Sequence, residues 1–274
     1  MYNKIVGLIG PTGSGKSYTA AQMMAATKCC AVFQLKRIHE EPAFAMSADD
    51  IVDGDIRTLA LKFCEEQFRL VYLCQPPDTE GKRLVSKDFD LFIQACYIRE
   101  NMCMIVDEAH FFCDPWHIPV FFRQAVVMGR SRYLDIIYCA QKFSTISKEL
   151  TANSHELYLW RIAEPGDLAS IGERCGADVA EAVANLRASQ DLRRDGGEFI
   201  PGEYLHWKNT GEWKVIDPCL LKFSSSLRSE QDLSPPSSSP SESLESEPTS
   251  ESTDEIQDST SPENTPSSRA SQEN

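Results

Sequence analysis

The chain has 274 residues, 42 % hydrophobic and 25 % charged, the balance of an ordinary soluble globular protein with room for one large α/β domain or two small ones. Its net charge of −14 is unevenly placed: residues 224–274 carry 11 acidic against 2 basic side chains, whereas the first 223 residues hold 30 acids and 25 bases. A uniformly basic nucleic-acid coat protein is thereby excluded, though a local basic channel is not. All ten cysteines precede residue 224, none forms a CxxC pair, and no histidine stands at ligand spacing from them, which argues against a zinc site. Cys74, Cys103 and Cys139 interrupt apolar runs, where buried thiols act as small hydrophobes, so a reducing compartment is expected. The apolar run from Ile5 to Ile9 is too short for a secretory signal, and no stretch approaches the roughly 18 apolar residues of a spanning helix. A cytoplasmic protein without a transmembrane segment is expected.

Short apolar runs alternate with longer amphipathic ones, the pattern of a parallel sheet flanked by helices. The first strand, 4–9, runs into Gly10-Pro11-Thr12-Gly13-Ser14-Gly15-Lys16-Ser17, a full match to G-x-x-x-x-G-K-[ST], and a helix over 16–26 follows. The glycines let successive backbone N–H groups turn around a phosphate, and the helix N-terminus adds a favourable dipole. Lys16 would reach the β- and γ-phosphates, the Ser17 hydroxyl would ligate Mg²⁺, and Tyr18 completes the nucleotide-binding run. The competing reading is a glycine-rich turn with a coincidental lysine.

Strands are next predicted over 31–35 and 70–74, with a helix over 56–67 between them. Lys82, Arg83 and Lys87 could touch a polyphosphate backbone or simply be solvated. A helix over 88–99 precedes a strand over 102–106 that ends in Asp107-Glu108-Ala109-His110. Carboxylates at the C-terminal end of a buried strand lie where open α/β sheets bind ligands. Asp107 would hold Mg²⁺ and Glu108 would polarise the attacking water; solvated capping acids are the alternative. Phe111, Phe112 and Trp116 could dock a partner, but core packing or a loop staple is the preferred reading, before a helix over 119–128.

Gly129-Arg130-Ser131-Arg132 leads into a strand over 135–140 that closes on Gln141. That amide could bond both the γ-phosphate and the lytic water. Arg130 and Arg132 are candidate fingers for a neighbouring subunit's nucleotide, and Arg161, after a strand over 156–160, is a third. Helix-terminal bases favourable to the dipole are the plainer alternative. Lys142 and Lys148 are further candidate contacts to a phosphate backbone. Helices are predicted over 165–174 and 178–188, then a hairpin, EYLHW-KNTG-EWKVI, turning at Gly211. Residues 224–274, rich in Ser and Pro with isolated apolar residues, are expected to be a disordered acidic tail behind a single domain over 1–223.

The set Gly10 to Ser17, Asp107-Glu108, GRSRYLD, Gln141 and Ala163-Glu164-Pro165-Gly166-Asp167 resembles the FtsK–HerA superfamily of P-loop ATPases. It looks most like the compact genome-packaging ATPases of tailless viruses with an internal membrane, over about residues 3–175. The resemblance implies an α/β P-loop NTPase fold of the RecA-like, ASCE type. It also implies ATP and Mg²⁺ as ligands and a homo-oligomeric ring, usually hexameric, that threads double-stranded DNA toward a capsid or packaging-vertex protein. Carried over by motif, Lys16 and Ser17 bind phosphate and Mg²⁺, Asp107 and Glu108 are the acid pair, and Gln141 is the sensor. The small size departs from cellular translocases and favours a packaging motor. The serine between the two arginines leaves the finger open. Two alternatives are a zonular-occludens-toxin-like phage assembly ATPase and a non-motor ATP-binding scaffold. The first typically carries a membrane span, and the second has no need of a positioned water.

Overall fold

A computed structural model describes residues 4–35, 44–74, 87–189 and 200–218. The tail and the bases Lys82 and Arg83 lie outside the described residues. Among the described residues, nine strands form one sheet: β1 (Ile5–Ile9), β2 (Cys29–Leu35), β3 (Asp50–Asp53), β4 (Phe68–Cys74), β5 (Met102–Val106), β6 (Leu134–Ala140), β7 (Glu156–Trp160), β8 (Tyr204–Lys208) and β9 (Trp213–Ile216). Their order is β3-β4-β2-β5-β6-β1-β7-β8-β9, parallel from β3 to β7, with β8 and β9 antiparallel at one edge. The helices are α1 (Lys16–Ala25), α2 (Ile56–Lys62), α3 (Lys87–Arg99), α4 (Val120–Met128), α5 (Lys148–Ala152), α6 (Pro165–Cys175) and α7 (Ala177–Ala184).

β1 and β5 are buried at every position because the sheet is covered on both faces. Alternate residues divide between two cores. Ile5, Ile9, Phe33, Tyr72, Met104 and Ile136 pack with α2, α3, α4, α6 and α7. Val6, Leu8, Val32, Ile105 and Cys139 pack under α1 through Ala20 and Met24. Each fully buried aliphatic side chain contributes about 1.5–3 kcal/mol relative to exposure, so the central strands are the least movable part of the molecule.

The expected strands and hairpin are present, and Gly211 turns the hairpin at φ 88°. Four details differ. The helix expected over 56–67 stops at Lys62: Asp55 caps its start by accepting from Arg57 N (2.9 Å), but the chain must turn back to begin β4 at Phe68, whose ring stacks on Phe63 at 5.0 Å. The helix expected over 178–188 stops at Ala184, because the backbone around Arg187 instead exchanges hydrogen bonds with Glu203. β3, with Val52 as its one buried residue, and the five-residue α5 were too short to show a period. Among the described residues, no helix is long and apolar enough to cross a membrane.

Candidate active site

The C-terminal ends of β1, β5, β6 and β7 share one edge of the sheet, and register sets what meets there. Ile9 pairs with Ala140 and Leu159, and Val106 pairs with Tyr138. β6 therefore lies between the strand that feeds the glycine-rich loop and the strand that ends in the acid pair. Gly10 N donates to Ala140 O at 3.1 Å, tying the loop's first residue to the strand that delivers Gln141.

The loop closes on itself through Ser14 N to Pro11 O (3.3 Å) and enters α1 at Gly15, whose φ of 114° is reserved for glycine. The first intrahelical bond is Thr19 N to Gly15 O (2.9 Å), so the N–H groups of Lys16, Ser17 and Tyr18 lie ahead of the ladder, the usual donors of an anion site. Lys16 is buried, and its ammonium donates to Gly10 O (2.7 Å) and Pro11 O (2.9 Å). The cation thus rests within the loop itself. Ser17 and the half-exposed Tyr18 face a groove of ≈ 520 Å³ along α1, together with Gln22 and Met46.

At the end of β5, Asp107 and Glu108 are both buried, and Glu108 holds the left-handed conformation (φ 50°) that turns the chain out of the strand. Gln141 Nε2 donates to Glu108 Oε1 at 3.0 Å. His110 Nδ1 lies 3.3 Å from the other Glu108 oxygen. Burial holds the His110 pKa below its ordinary value against the pull of Glu108, and the Lys16 charge acts in the same lowering direction. Beneath them the Cys139 thiol hydrogen-bonds with Asp107; burial raises its pKa well above the ordinary thiol value, and the Asp107 and Glu108 charges add to that rise. Gln141, Arg161, Trp160 and loop residues Pro11 to Ser14 line a second cleft of ≈ 440 Å³. The buried Ser14 Oγ and Trp160 Nε1 have no hydrogen-bond partner there. An ammonium, helix-first-turn N–H groups and two carboxylates fit a polyphosphate with a divalent cation.

Lys16, Ser17, Asp107, Glu108, Gln141 and Arg161 stand together at this edge of the sheet. Arg130 and Arg132 do not. They stand in a 3₁₀ turn, Gly129–Arg132, at the opposite end of β6. Arg132 is paired with Glu100 and lies 5.1 Å over the Tyr97 ring, whereas Arg130 is exposed. The candidate phosphate contacts Lys142 and Lys148 are ion-paired, to Glu164 (2.7 Å) and Glu173 (3.9 Å). Phe112 is core, stacked on Phe89 at 4.4 Å; Phe111 is half-exposed, and Trp116 is 88 % exposed. Sequence reasoning assigned nothing to His110, although it stands two residues after Glu108, and it missed Trp160 and the 200–203 segment behind the loop. No local spacing marks the last two.

No family model and no curated protein matches the chain. Among solved structures, the genome packaging NTPase B204 from Sulfolobus turreted icosahedral virus 2, in complex with AMPPCP, aligns with a TM-score of 0.61 and 17 % identity over 79 % of this chain and 98 % of that one. B204, the DNA-packaging ATPase from Sulfolobus turreted icosahedral virus, aligns with a TM-score of 0.61 and 15 % identity over 80 % and 99 %. VirB4 of Thermoanaerobacter pseudethanolicus gives 0.51 and 12 % over 78 % and 89 %. Likeness at such identities is likeness of fold, and the shared fold is a mostly parallel sheet flanked by helices, that of these NTPase structures.

Proposed function

We propose that residues 1–223 form an ATP-hydrolysing motor that moves double-stranded DNA into a preformed capsid. The observation that carries the reading is the convergence of the phosphate loop, the acid pair and Gln141, with Gln141 in direct contact with Glu108 at 3.0 Å. A scaffold that only bound nucleotide would need neither the second acid nor the amide. The packaging half of the proposal is supported by the shared fold, since B204 is described as a genome-packaging ATPase.

The loop N–H groups and Lys16 bind the triphosphate. The ammonium has only to exchange the Gly10 and Pro11 carbonyls for phosphate oxygens, without leaving the loop. Ser17 and Asp107 would hold Mg²⁺, which neutralises charge on the phosphate oxygens when bound. Glu108 takes the proton of the attacking water, and Gln141 orients that water while bonded to Glu108. Arg161 lines the same cleft and would neutralise charge from within the subunit. Self-association into a ring, with a hexamer as the family precedent, is supported by the apolar face that α4 leaves exposed. Val120, Val127 and Met128 lie on it, and the exposed Arg130 follows directly. A capsid or packaging-vertex protein would receive the DNA, in the host cytoplasm or on the virion.

The test is ATP hydrolysis by the full chain with Mg²⁺, with and without linear duplex DNA, coupled to displacement of a third strand from a triplex. Hydrolysis stimulated by DNA, with displacement, is expected. Hydrolysis that ignores DNA would overturn the motor reading, and no hydrolysis would overturn the enzyme.

A further inference from the structure

We infer that Arg187 and Glu203 are positioning residues for the phosphate loop, acting on it through Pro201 and Gly202. The inference rests on the loop being the nucleotide site. The loop tip is held by a distant segment of the chain as well as by its own strand and helix. Gly202 N donates to Ser14 O at 3.0 Å. Pro201 fills the space beside Gly15, where a Cβ would lie 2.8 Å from the proline Cβ. Gly202 is itself wedged: a Cβ there would meet Ser189 N at 2.8 Å and Arg187 O at 3.2 Å. The 200–203 segment therefore has no room to retreat from the loop, and Gly15 has no room to move toward it.

One guanidinium fixes that wedge. Arg187 Nε and Nη2 donate to Glu203 Oε1 at 2.8 and 2.6 Å, and Nη2 also donates to Asp217 Oδ2 at 2.8 Å. The backbones lock the same pair in both directions, Arg187 N to Glu203 Oε2 (2.8 Å) and Glu203 N to Arg187 O (3.0 Å). Ser189 Oγ donates to Ile200 O at 2.5 Å. The stretch after α7, the stretch before β8 and the residue after β9 thus meet on Arg187. None of them touches the acid pair in these contacts. A forked, charge-assisted contact of this kind fixes geometry as well as adding energy. Its removal releases Gly202, and with it the Ser14 carbonyl and the Gly15 conformation that aim the loop N–H groups. Binding of phosphate should weaken while the chemistry of Glu108 and Gln141 is untouched.

Two readouts on the full chain separate this from a general loss of stability. Hydrogen exchange of the peptide spanning residues 10–17 needs no nucleotide. Arg187→Ala and Glu203→Gln should each speed it by about tenfold, and Arg123→Ala, which breaks an exposed pair with Glu149 on another part of the surface, should leave it unchanged. ATP titration should show an affinity loss of about tenfold, with kcat at saturation within about twofold of the parent, and partial recovery in Arg187→Lys, which keeps the charge. Unchanged exchange in the two folded variants would overturn the brace, whatever ATP does. Exchange that rises in protein whose parent binds no ATP would uphold the brace and overturn the nucleotide site. If Arg187→Ala does not fold, Glu203→Gln decides by the same two measurements.

Discussion

Gln141 at the end of β6 donates its side-chain amide to Glu108 at the end of β5, across 3.0 Å. The contact exists because β5 and β6 are neighbours in register, so two chain segments far apart in sequence end side by side. It leaves one Glu108 oxygen engaged and turns the other toward His110. Glu108→Gln keeps the shape and the partners but makes a poor base. The expected outcome is ATP binding close to parental with turnover lowered by about 10² or more. Parental turnover in that protein would take the base role away from Glu108.

Lys16→Ala removes the side-chain cation that donates to the loop's Gly10 and Pro11 carbonyls. It should abolish nucleotide binding or reduce it beyond measurement, because the phosphates lose their compensating charge. Equal binding by mutant and parent, measured by calorimetric titration, would show that the loop is a structural turn.

Most of the motif residues were legible because each ends an apolar run at a strand terminus, where strand direction alone decides which edge a side chain joins. Gly10, Asp107, Gln141 and Arg161 directly follow their strands and Glu108 is one residue further, while Lys16 and Ser17 were legible by the spacing of the glycine-rich motif instead. What sequence did not disclose depends on pairing between distant segments. β3 exists by hydrogen-bonding to β4 and has too few residues for a period. Gly202 reads locally as loop punctuation, yet its N–H is spent on Ser14. Arg132 looked like Arg130 in the sequence, and only the packing of Glu100 and Tyr97 around it tells the two apart.

That difference sharpens the finger experiment. Arg132 is engaged by its own chain, so Arg132→Ala should lower stability through lost packing on Tyr97 and lost pairing with Glu100. Arg130, exposed in the turn after α4, is the one of the two left to test for a role across a subunit boundary of the proposed ring. Mixing Arg130→Ala with Lys16→Ala should restore ATP hydrolysis above the sum of the two, since some mixed boundaries then carry both groups intact. Strictly additive activity over all mixing ratios would argue against a role in trans.

His206 provides a pH test of stability that does not involve nucleotide. Its ring stacks on Tyr158 with centroids 4.4 Å apart and lies 3.0 Å from Glu156 Oε2. Burial holds its pKa below the ordinary value, outweighing the carboxylate. The unfolded chain therefore takes up the proton first as pH falls, and the folded state loses stability below about pH 6.5. His110 shifts the same way, so comparison with His206→Gln isolates the second imidazole. Denaturant unfolding at about pH 7.5 and about pH 5.5 should show a smaller acid loss in the variant than in the parent. The same loss in both would remove His206 from the account.

The last prediction concerns residues 224–274, which hold −9 of the −14 net charge. Their composition is Ser and Pro with scattered acids and isolated apolar residues. Deleting them should leave folding and basal ATP hydrolysis intact. DNA affinity should change. On the proposed motor, an acidic segment of the same chain would compete with DNA phosphate for the same lysines and arginines, at an effective concentration set by its length. The truncated protein should bind nonspecific duplex more tightly at low salt, and the two binding curves should converge as salt rises and screens both competitors. Curves that superimpose at every salt concentration would assign the acidic segment to solubility or to docking, and would remove it from control of DNA binding.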